Sequence, residues 1–262
     1  MKRLTTLALA CLATSASAQE APPEQPRKVL AIFAHPDDEV FVAPALANAA
    51  RQGDEITLVL ATSGDMGPGV SDFEPGEQLA EARREEARCS ARALGLTGST
   101  FLDYGDGTLG ETPRAADSPA RRLTADLAAI IGETQPDLIV TWGPDGGYGH
   151  GDHRMVHALV TQVVQAMDED RPSLVYPGIR KGTLPPIPQM QDWAETDPAL
   201  LPIRHEYDEA DLVAARAAIG CHATQFDEAS RAQIADLFHA TIWQGAVHFR
   251  EAIPASPRAV EK

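Results

Sequence analysis

The chain has 262 residues, of which 44% are hydrophobic and 23% are charged, so it can bury the core of a folded domain. This composition excludes a disordered chain, a collagen-like chain and a small disulfide-stabilised scaffold. The formal net charge is −16, and no run of Lys and Arg interrupts the acidic sequence. We therefore expect no nucleic acid and no anionic membrane surface as a partner, and a small molecule fits the composition better.

Residues 1–18 have the pattern of a secretory signal peptide. Two basic residues precede an apolar run over 4–13, and small residues ending at Ala18 provide a cleavage site. The run is shorter than the about 20 apolar residues that span a bilayer, and Cys11 lies in a poor context for lipoprotein processing. We expect a protein exported to the periplasm or the extracellular space after cleavage near Ala18, with no membrane insertion.

The rest of the chain alternates apolar runs with amphipathic segments. The runs that predict strands cover 29–35, 56–62, 101–104, 138–142 and 174–176. The patterns that predict helices cover 39–51, 77–94, 119–134, 152–167 and 209–219. This alternation predicts an α/β fold with a Rossmann-like, doubly wound and mainly parallel sheet that carries helices on both faces.

We expect a single domain over 28–250, preceded by a Pro-rich tether over 19–27 and followed by a tail over 251–262. The Pro-rich segment 179–205 has no clear period and is either a surface loop or a flap over a site. The sequence leaves the oligomeric state open.

Two cysteines remain after the predicted cleavage, Cys89 and Cys221. They could pair in an oxidising compartment, but both lie in helix-like, apolar surroundings, where buried reduced thiols are also common. The sequence leaves both alternatives open.

Polar clusters follow two of the predicted strands, and ligands bind at the carboxyl ends of the strands in such a sheet. The first strand ends at His35, which Pro36, two aspartates and a glutamate follow, and the fourth leads into the segment 148–153. A helix start accounts for the proline and the acids, and a turn accounts for the glycines of the second cluster. Neither accounts for the histidines.

His35, Asp38 and His153 together offer two imidazoles and one carboxylate, a set that binds a catalytic metal and leaves one position for water. Such an ion lowers the pKa of water toward about 7, and the adjacent Asp37 is free to accept the proton. The same set also binds iron(II) in oxygenases, an alternative that the strand-helix alternation disfavours. We expect one Zn²⁺ per chain, with Fe²⁺ or another divalent ion as alternatives.

The strand and motif over 29–39 resemble the first signature of the PIG-L/LmbE family of zinc-dependent N-deacetylases, and 148–153 resembles the second. The similarity extends from about residue 29 to residue 225. Further landmarks that agree with the family are Arg83 with Glu86, the segment 103–107 and the segment 222–225.

The resemblance implies that His35, Asp38 and His153 bind zinc and that Asp37 is the general base. It also implies amide hydrolysis that releases acetate and a free amine. The implied substrate is a small N-acetylated amino sugar or a sugar conjugate, which the sequence does not specify further.

The resemblance also implies roles for four other residues. His150 would face the developing oxyanion or protonate the leaving amine, and Asp152 would orient His150. Tyr148 would polarise the scissile carbonyl, and Arg83 would contact substrate hydroxyls. Many members have proline where this chain has Gly151, which loosens the turn that carries His150.

Two other function classes compete with the enzyme. A nucleotide-binding α/β protein lacks support, because neither G-x-G-x-x-G nor a P-loop follows the first strand. A non-catalytic carbohydrate-binding protein has no feature in its favour, since a base and metal ligands are present. His157 is either packed or a partner of a metal ligand, His222 is either packed or near the site, and Trp193 either anchors its loop or stacks on a sugar ring.

Overall fold

The computed structural model describes residues 25–253, so the predicted signal peptide and its cleavage site lie outside the described residues. In this part of the chain, no helix combines the length and the apolar character needed to cross a membrane.

The strands are β1 (Lys28–Phe33), β2 (Glu55–Thr62), β3 (Gly98–Tyr104), β4 (Leu138–Thr141), β5 (Ser173–Pro177), β6 (Ile179–Arg180), β7 (Glu195–Thr196), β8 (Ile203–Glu206) and β9 (Ala246–Glu251). The helices are α1 (Ala43–Arg51), α2 (Glu77–Ala93), α3 (Pro119–Thr134), α4 (Gly151–Gln165), α5 (Glu209–Gly220) and α6 (Glu228–Phe238).

Seven strands form one sheet in the order β3-β2-β1-β4-β5-β9-β8, and β6 pairs with β7 in a separate ribbon. The strands β1 to β5 are parallel, and β9 and β8 continue the sheet in antiparallel pairing. The predicted fold class, an α/β fold with a mainly parallel, doubly wound sheet, is confirmed. Because the chain leaves β1 toward β2 on one side and later returns to β4 on the other, the crevice above β1 and β4 is the ligand position of this topology.

Both faces of the sheet are covered, which explains why its central strands have continuous apolar runs. Alternate residues of β1 enter two different cores: Val29, Ala31 and Phe33 face one, and Leu30 and Ile32 face the other. The first core lies under α1, α2, α5 and α6, and the second lies under α3 and α4.

The predicted helix over 39–51 is in fact two elements. A 3₁₀ turn covers Asp38–Val42, and α1 begins only at Ala43. The change of backbone path starts at Asp37, whose φ of 106° lies in the left-handed region. The motif therefore forms a sharp turn between strand and helix, and this turn exposes Asp37 at the crevice.

The segment 179–205 contains the β6–β7 ribbon and two short 3₁₀ turns, and it leads into β8. It lies against the second motif, because the backbone N–H of Ala194 donates to the carbonyl of Gly147 at 3.1 Å. Sequence patterning did not identify α6, β8 or β9. Only Ala235 and Phe238 of α6 are buried, so that helix has little apolar periodicity to detect.

The two cysteines left open by the sequence form a disulfide, Cys89–Cys221. It joins α2 to the residue that follows α5, across a sequence separation of 132 residues.

Candidate metal-dependent active site

The three predicted metal ligands lie together at the carboxyl ends of β1 and β4. Nδ1 of His35 is 3.1 Å from Nε2 of His153, and Nε2 of His153 is 3.0 Å from Oδ1 of Asp38. Oδ2 of Asp38 is 3.8 Å from Nδ1 of His35. All three side chains are buried, so their polar atoms face one another rather than water.

Asp38 is fixed by donors from two strands. Its Oδ2 atom accepts the backbone N–H groups of Ala34 and His35 at 2.9 and 3.0 Å, and Nε1–H of Trp142 at 2.9 Å. Burial alone would raise the pKa of Asp38, but His153 and His35 beside it hold that pKa well below its usual range. The carboxylate is therefore kept ionised and oriented, as a metal ligand must be.

His153 has the tautomer that a ligand requires. Its Nδ1 atom lies 3.0 Å from the carbonyl of Gly146. Because a carbonyl can only accept a hydrogen bond, Nδ1 carries the N–H that donates to it, and Nε2 is left to bind a metal. The ring stacks on Trp142, with centroids 4.5 Å apart and planes 6° apart. A Cβ on Gly146, whose φ is 69°, would come within 3.3 Å of the Cβ of His153, so this loop fits closely around the ring.

His35 faces two carboxylates on its other edge. Its Nε2 atom is 3.0 Å from Oδ1 of Asp106 and 3.5 Å from Oδ2 of Asp152. Burial would lower the pKa of His35, but these carboxylates and Asp38 raise it well above its usual value. The sequence analysis gave Asp106 no role of its own, because Gly-Asp-Gly is typical of a turn. The available signals were its place after a predicted strand and the family landmark over 103–107.

These groups also form alternative metal-binding sets. His35 with His150 and His153, and His35 with Asp106 and Asp152, each bring three ligand atoms within 4.8 Å of one another. His35 belongs to both sets, so the structure contains a His/Asp cluster able to bind a metal.

Asp37 lies beside the ligand cluster, but its carboxylate pairs with Arg83. Its Oδ1 atom is 3.4 Å from Arg83, and its side chain is 21% exposed. Burial raises the pKa of Asp37 to about 6, with Arg83 opposing the rise and Asp38 adding to it. A carboxylate with a pKa close to neutrality suits a general base.

Arg83, for which the resemblance implied contact with substrate hydroxyls, makes its contacts within the chain. Its guanidinium is buried and donates to the carbonyls of Pro36, Gly64 and Gly67 at 2.6, 3.0 and 3.3 Å. Arg83 therefore holds the Asp37 turn against the β2–α2 loop. A side chain at Gly64 would overlap the guanidinium at 2.1 Å, which shows how closely that loop wraps it.

His150 and Asp152 are linked differently from the expectation. The backbone N–H of Asp152 donates to Nδ1 of His150 at 3.2 Å, which makes His150 the N-cap of α4 and places its proton on Nε2. The Asp152 carboxylate instead accepts the backbone N–H groups of Gly107 and Leu109 at 2.7 and 3.2 Å. Asp152 thus contacts His150 through its backbone N–H and not through its carboxylate. Burial, with the charges of His35 and His153, lowers the pKa of His150.

Tyr148 lies at the mouth of the site and is 47% exposed. Its ring is edge-on to His153 at 5.0 Å and to His150 at 6.0 Å between centroids. On the outer side it faces Trp193 of the segment 179–205, at 5.5 Å. Burial, with Asp38 and Asp37 nearby, raises the pKa of Tyr148, so the phenol keeps its proton.

The two histidines that the sequence left open have different surroundings. Nδ1 of His157 is 3.1 Å from the carbonyl of Trp142 and its ring packs on Tyr176, so it supports the backbone after β4. His222 is fully buried, with Nε2 2.7 Å from Oε1 of Glu39. Glu39 belongs to the first motif, and the sequence did not reveal that His222 is its partner.

Comparison with known proteins places this geometry in a family. Residues 30–164 match the family described as PIG-L, GlcNAc-PI de-N-acetylase. Over 159 residues the chain is 36% identical to the 1D-myo-inositol 2-acetamido-2-deoxy-alpha-D-glucopyranoside deacetylase of Corynebacterium diphtheriae, covering 55% of this chain and 54% of that protein. The chain spans about half the length of the curated relatives it matches.

Solved structures share the fold at low identity. The N,N'-diacetylchitobiose deacetylase of Pyrococcus horikoshii superposes with a TM-score of 0.63 and 22% identity, over 88% of this chain and 85% of that one. GalB, the 4-carboxy-2-hydroxymuconate hydratase of Pseudomonas putida, gives 0.61 and 20% over 90% and 99%. Since this fold serves different reactions, function must be argued from the site. The family pattern matches half of the chain, and both motifs lie at one crevice. The chain therefore belongs to the PIG-L family.

Proposed function

We propose that the protein is an exported, zinc-dependent deacetylase that hydrolyses the N-acetyl amide of an amino sugar or sugar conjugate. The observation that carries this proposal is that His35, Asp38 and His153 converge. The carboxylate of Asp37 lies beside them and pairs with Arg83 instead. Relatives of the chain are named for deacetylation of an inositol-linked acetamido sugar, so that compound class is the first substrate to test.

The residues present fit a zinc ion. Two imidazole nitrogens and one carboxylate oxygen meet in a buried cluster, and the Gly146 carbonyl leaves the metal-facing nitrogen of His153 unprotonated. His35, Asp38 and His153 would hold the ion, and a set of three protein ligands is typical of catalytic zinc. When bound, the ion supplies Lewis-acid activation of water and of the amide carbonyl.

Side chains of the protein then accept and donate the protons of the reaction. Asp37 accepts a proton from the attacking water, because its carboxylate lies next to the ligand cluster and is partly open to the crevice. His150 carries its proton on Nε2, and one of its ring nitrogens lies within 4.8 Å of ligand nitrogens of His35 and His153. We infer that its Nε2–H donates to the oxyanion that forms on the former carbonyl. Asp37 can return its proton to the nitrogen as the C–N bond breaks, which releases acetate and the free amine.

The mouth of the site suits a sugar. The exposed ring of Tyr148 and the ring of Trp193 stand 5.5 Å apart at its rim. The faces of aromatic rings offer apolar surface to the C–H groups of a pyranose, while the edges of the rings remain solvated. We infer that these two rings bind the sugar that carries the acetamido group, with Tyr148 close enough to the histidines to reach its carbonyl.

Two features support export. The N-terminal sequence has the signal-peptide pattern, and the Cys89–Cys221 disulfide is a bond that persists mainly in oxidising compartments. Fractionation of cells that express the full chain would test export, and recovery of the uncleaved protein from the cytosol alone would contradict it.

Acetate release is the decisive measurement for the activity. The purified chain would be given 1D-myo-inositol 2-acetamido-2-deoxyglucopyranoside, N,N'-diacetylchitobiose and free N-acetylglucosamine, before and after chelation and again after zinc is restored. We expect release from at least one of them, loss on chelation, recovery with zinc and about one zinc per chain. Hydrolysis that is indifferent to chelation, or no hydrolysis by zinc-loaded protein on a broad panel of acetamido sugars, would reject the proposal.

A further inference from the structure

A buried carboxylate lies directly behind the proposed general base. Glu39 is 0% exposed, and its Oε2 atom accepts the backbone N–H of Asp37 at 3.1 Å. Its Oε1 atom accepts the hydroxyl of Ser90 at 2.5 Å and lies 2.7 Å from Nε2 of His222. Ser90 and His222 are themselves fully buried. Glu39 therefore connects α2 and the segment after α5 to the backbone of Asp37.

Asp37 needs such support because its backbone is strained. A φ of 106° is unusual for a residue with a side chain and costs on the order of 1–3 kcal/mol. Such a conformation persists only where the surroundings over-determine it. Arg83 donates to the Pro36 carbonyl and Glu39 accepts the N–H of Asp37, so both polar groups of the peptide that precedes the Asp37 Cα are held. The carbonyl of Asp37 on the other side accepts the N–H of Val40 at 3.1 Å.

The disulfide joins the neighbours of both Glu39 partners. Cys89 precedes Ser90 in the chain, and Cys221 precedes His222. The bond therefore fixes the distance between the two groups that meet at Oε1 of Glu39. Glu86, one turn earlier on α2, accepts both the N–H and the hydroxyl of Thr224 at 2.7 Å, so the same two segments are also joined on the other side of His222.

We propose that Glu39 is a positioning residue for Asp37, and that Ser90 and His222, locked together by the Cys89–Cys221 disulfide, hold Glu39 in place. The proposal rests on the proposed function, because its kinetic consequence requires Asp37 to be the base. We call Glu39, Ser90 and His222 the clamp. In this proposal the disulfide does more than stabilise the fold, because it keeps Ser90 and His222 in contact with Glu39. Loss of the clamp should affect the rate of the chemical step and leave metal binding and substrate binding intact.

The kinetic test compares Glu39→Ala, Glu39→Gln and the pair Cys89→Ala/Cys221→Ala. We expect kcat to fall about 10- to 100-fold in Glu39→Ala and about 3- to 10-fold in the cysteine pair, since small misplacements of a reacting group are costly. KM should stay within about twofold and zinc content should stay at the wild-type level. Glu39→Gln keeps an acceptor for the N–H of Asp37 and should recover most of kcat relative to Glu39→Ala.

A control separates positioning from general destabilisation. Leu127→Ala removes a fully buried side chain of α3 from the core on the opposite face of the sheet. It should lower Tm at least as much as the cysteine pair while kcat stays unchanged within about twofold. A fall of kcat in Leu127→Ala that parallels its fall in Tm, or a wild-type kcat in metal-replete Glu39→Ala, would overturn the proposal.

A readout that needs no substrate keeps the two proposals distinguishable. Amide hydrogen exchange resolved to single residues by NMR reports the N–H of Asp37 directly. We expect that amide to exchange at least about tenfold faster in Glu39→Ala and in the cysteine pair than in wild type or Leu127→Ala. If wild-type protein hydrolyses no acetamido sugar while this exchange pattern holds, the proposed function fails and the clamp stands. If exchange is unchanged in Glu39→Ala, the clamp fails whatever the activity, and Ser90→Ala provides the same test should Glu39→Ala not fold.

Discussion

The Nδ1 atom of His35 lies 3.1 Å from the Nε2 atom of His153, although 118 residues separate the two in the chain. They meet because β1 and β4 are neighbours in the sheet, so the loops that follow both strands emerge at one crevice. The other nitrogen of each ring lies 3.0 Å from an oxygen, that of the Gly146 carbonyl for His153 and that of the Asp106 carboxylate for His35. Each ring is thus oriented from behind with its remaining nitrogen facing the ligand cluster.

Asp106 should matter for metal affinity although it is not among the three expected ligands. In Asp106→Asn the partner of His35 Nε2 loses its charge, so His35 becomes a weaker and less well oriented ligand. We expect zinc affinity to fall about 10- to 100-fold, measured by competition with a chromophoric chelator. Asp103→Asn is the matched control, because that carboxylate lies three residues earlier, near the end of β3, is 60% exposed and pairs with Arg84. Equal zinc affinity in wild type and Asp106→Asn would contradict this role.

Removal of the base should spare the fold and the metal. In Asp37→Asn the side chain can no longer accept a proton, so kcat should fall by about 10² to 10⁴. Asn tolerates the left-handed backbone that the residue adopts here, so Tm and zinc content should match wild type. Turnover and bound zinc would be measured on the same preparation.

The comparison with Asp37→Ala then isolates the backbone effect. Alanine has no polar side chain to offset a φ of 106°, so Asp37→Ala should be less stable than Asp37→Asn while both are inactive. Full turnover in either zinc-loaded variant would mean that another group is the base.

Substitution of Arg83 tests whether this residue supports the Asp37 turn or binds substrate hydroxyls. Its guanidinium donates to three backbone carbonyls around Asp37, so Arg83→Lys, which cannot make the same set of contacts, should lower kcat about 10- to 100-fold and leave KM within about twofold. A residue that binds substrate hydroxyls would instead raise KM. Arg84→Lys is the control, since Arg84 pairs with the exposed carboxylates of Glu77 and Glu81; both of its kinetic constants should be unchanged.

The sequence predicted the parts of the fold that have strong local patterns. The strands β1 to β5 and the helices α2 to α5 come from uninterrupted apolar runs or clear amphipathic stretches, and they confirm the fold class. Three later elements escaped detection. The edge strand β8 and the helix α6 bury few side chains, so their periodicity is weak. The strand β9 is buried between β5 and β8, but His248 interrupts its apolar run, so its sequence does not have the continuous apolar pattern of the parallel strands.

Site residues followed the same division. His35 and His153 could be picked out because neither a helix start nor a turn explains a histidine after a buried strand, and Asp38 was the carboxylate close to His35 in the same motif. Asp106 and Arg83 could not be placed, because a Gly-Asp-Gly turn and an Arg on a charged helix each have an ordinary local explanation. Their actual partners lie on other loops and are set only when the sheet order is known.

A buried carboxylate far from the catalytic cluster should make stability depend on acid pH. Asp211 is 1% exposed at its side chain and accepts donors from Arg51 at 2.9 Å and from Asn48 at 2.8 Å. Burial opposes ionisation, but the hydrogen bond and charge of Arg51, with Asn48 and the Asp208 N–H, lower the pKa of Asp211 to about 2. The network ties α1 to the start of α5.

The sign of the effect follows from that depressed pKa. Since the folded protein holds Asp211 ionised more strongly than the unfolded chain does, this contribution is complete above about pH 5 and is lost as the pH falls through about 4 toward 2. Its full size is about 2 kcal/mol in the free energy of unfolding. Asp211→Asn lacks it at every pH, so the stability gap between wild type and variant should be about 1 kcal/mol smaller at pH 3 than at pH 6. Urea unfolding at the two pH values measures the gap, and a gap that does not change with pH would show that Asp211 is protonated to the same extent in the folded and unfolded states.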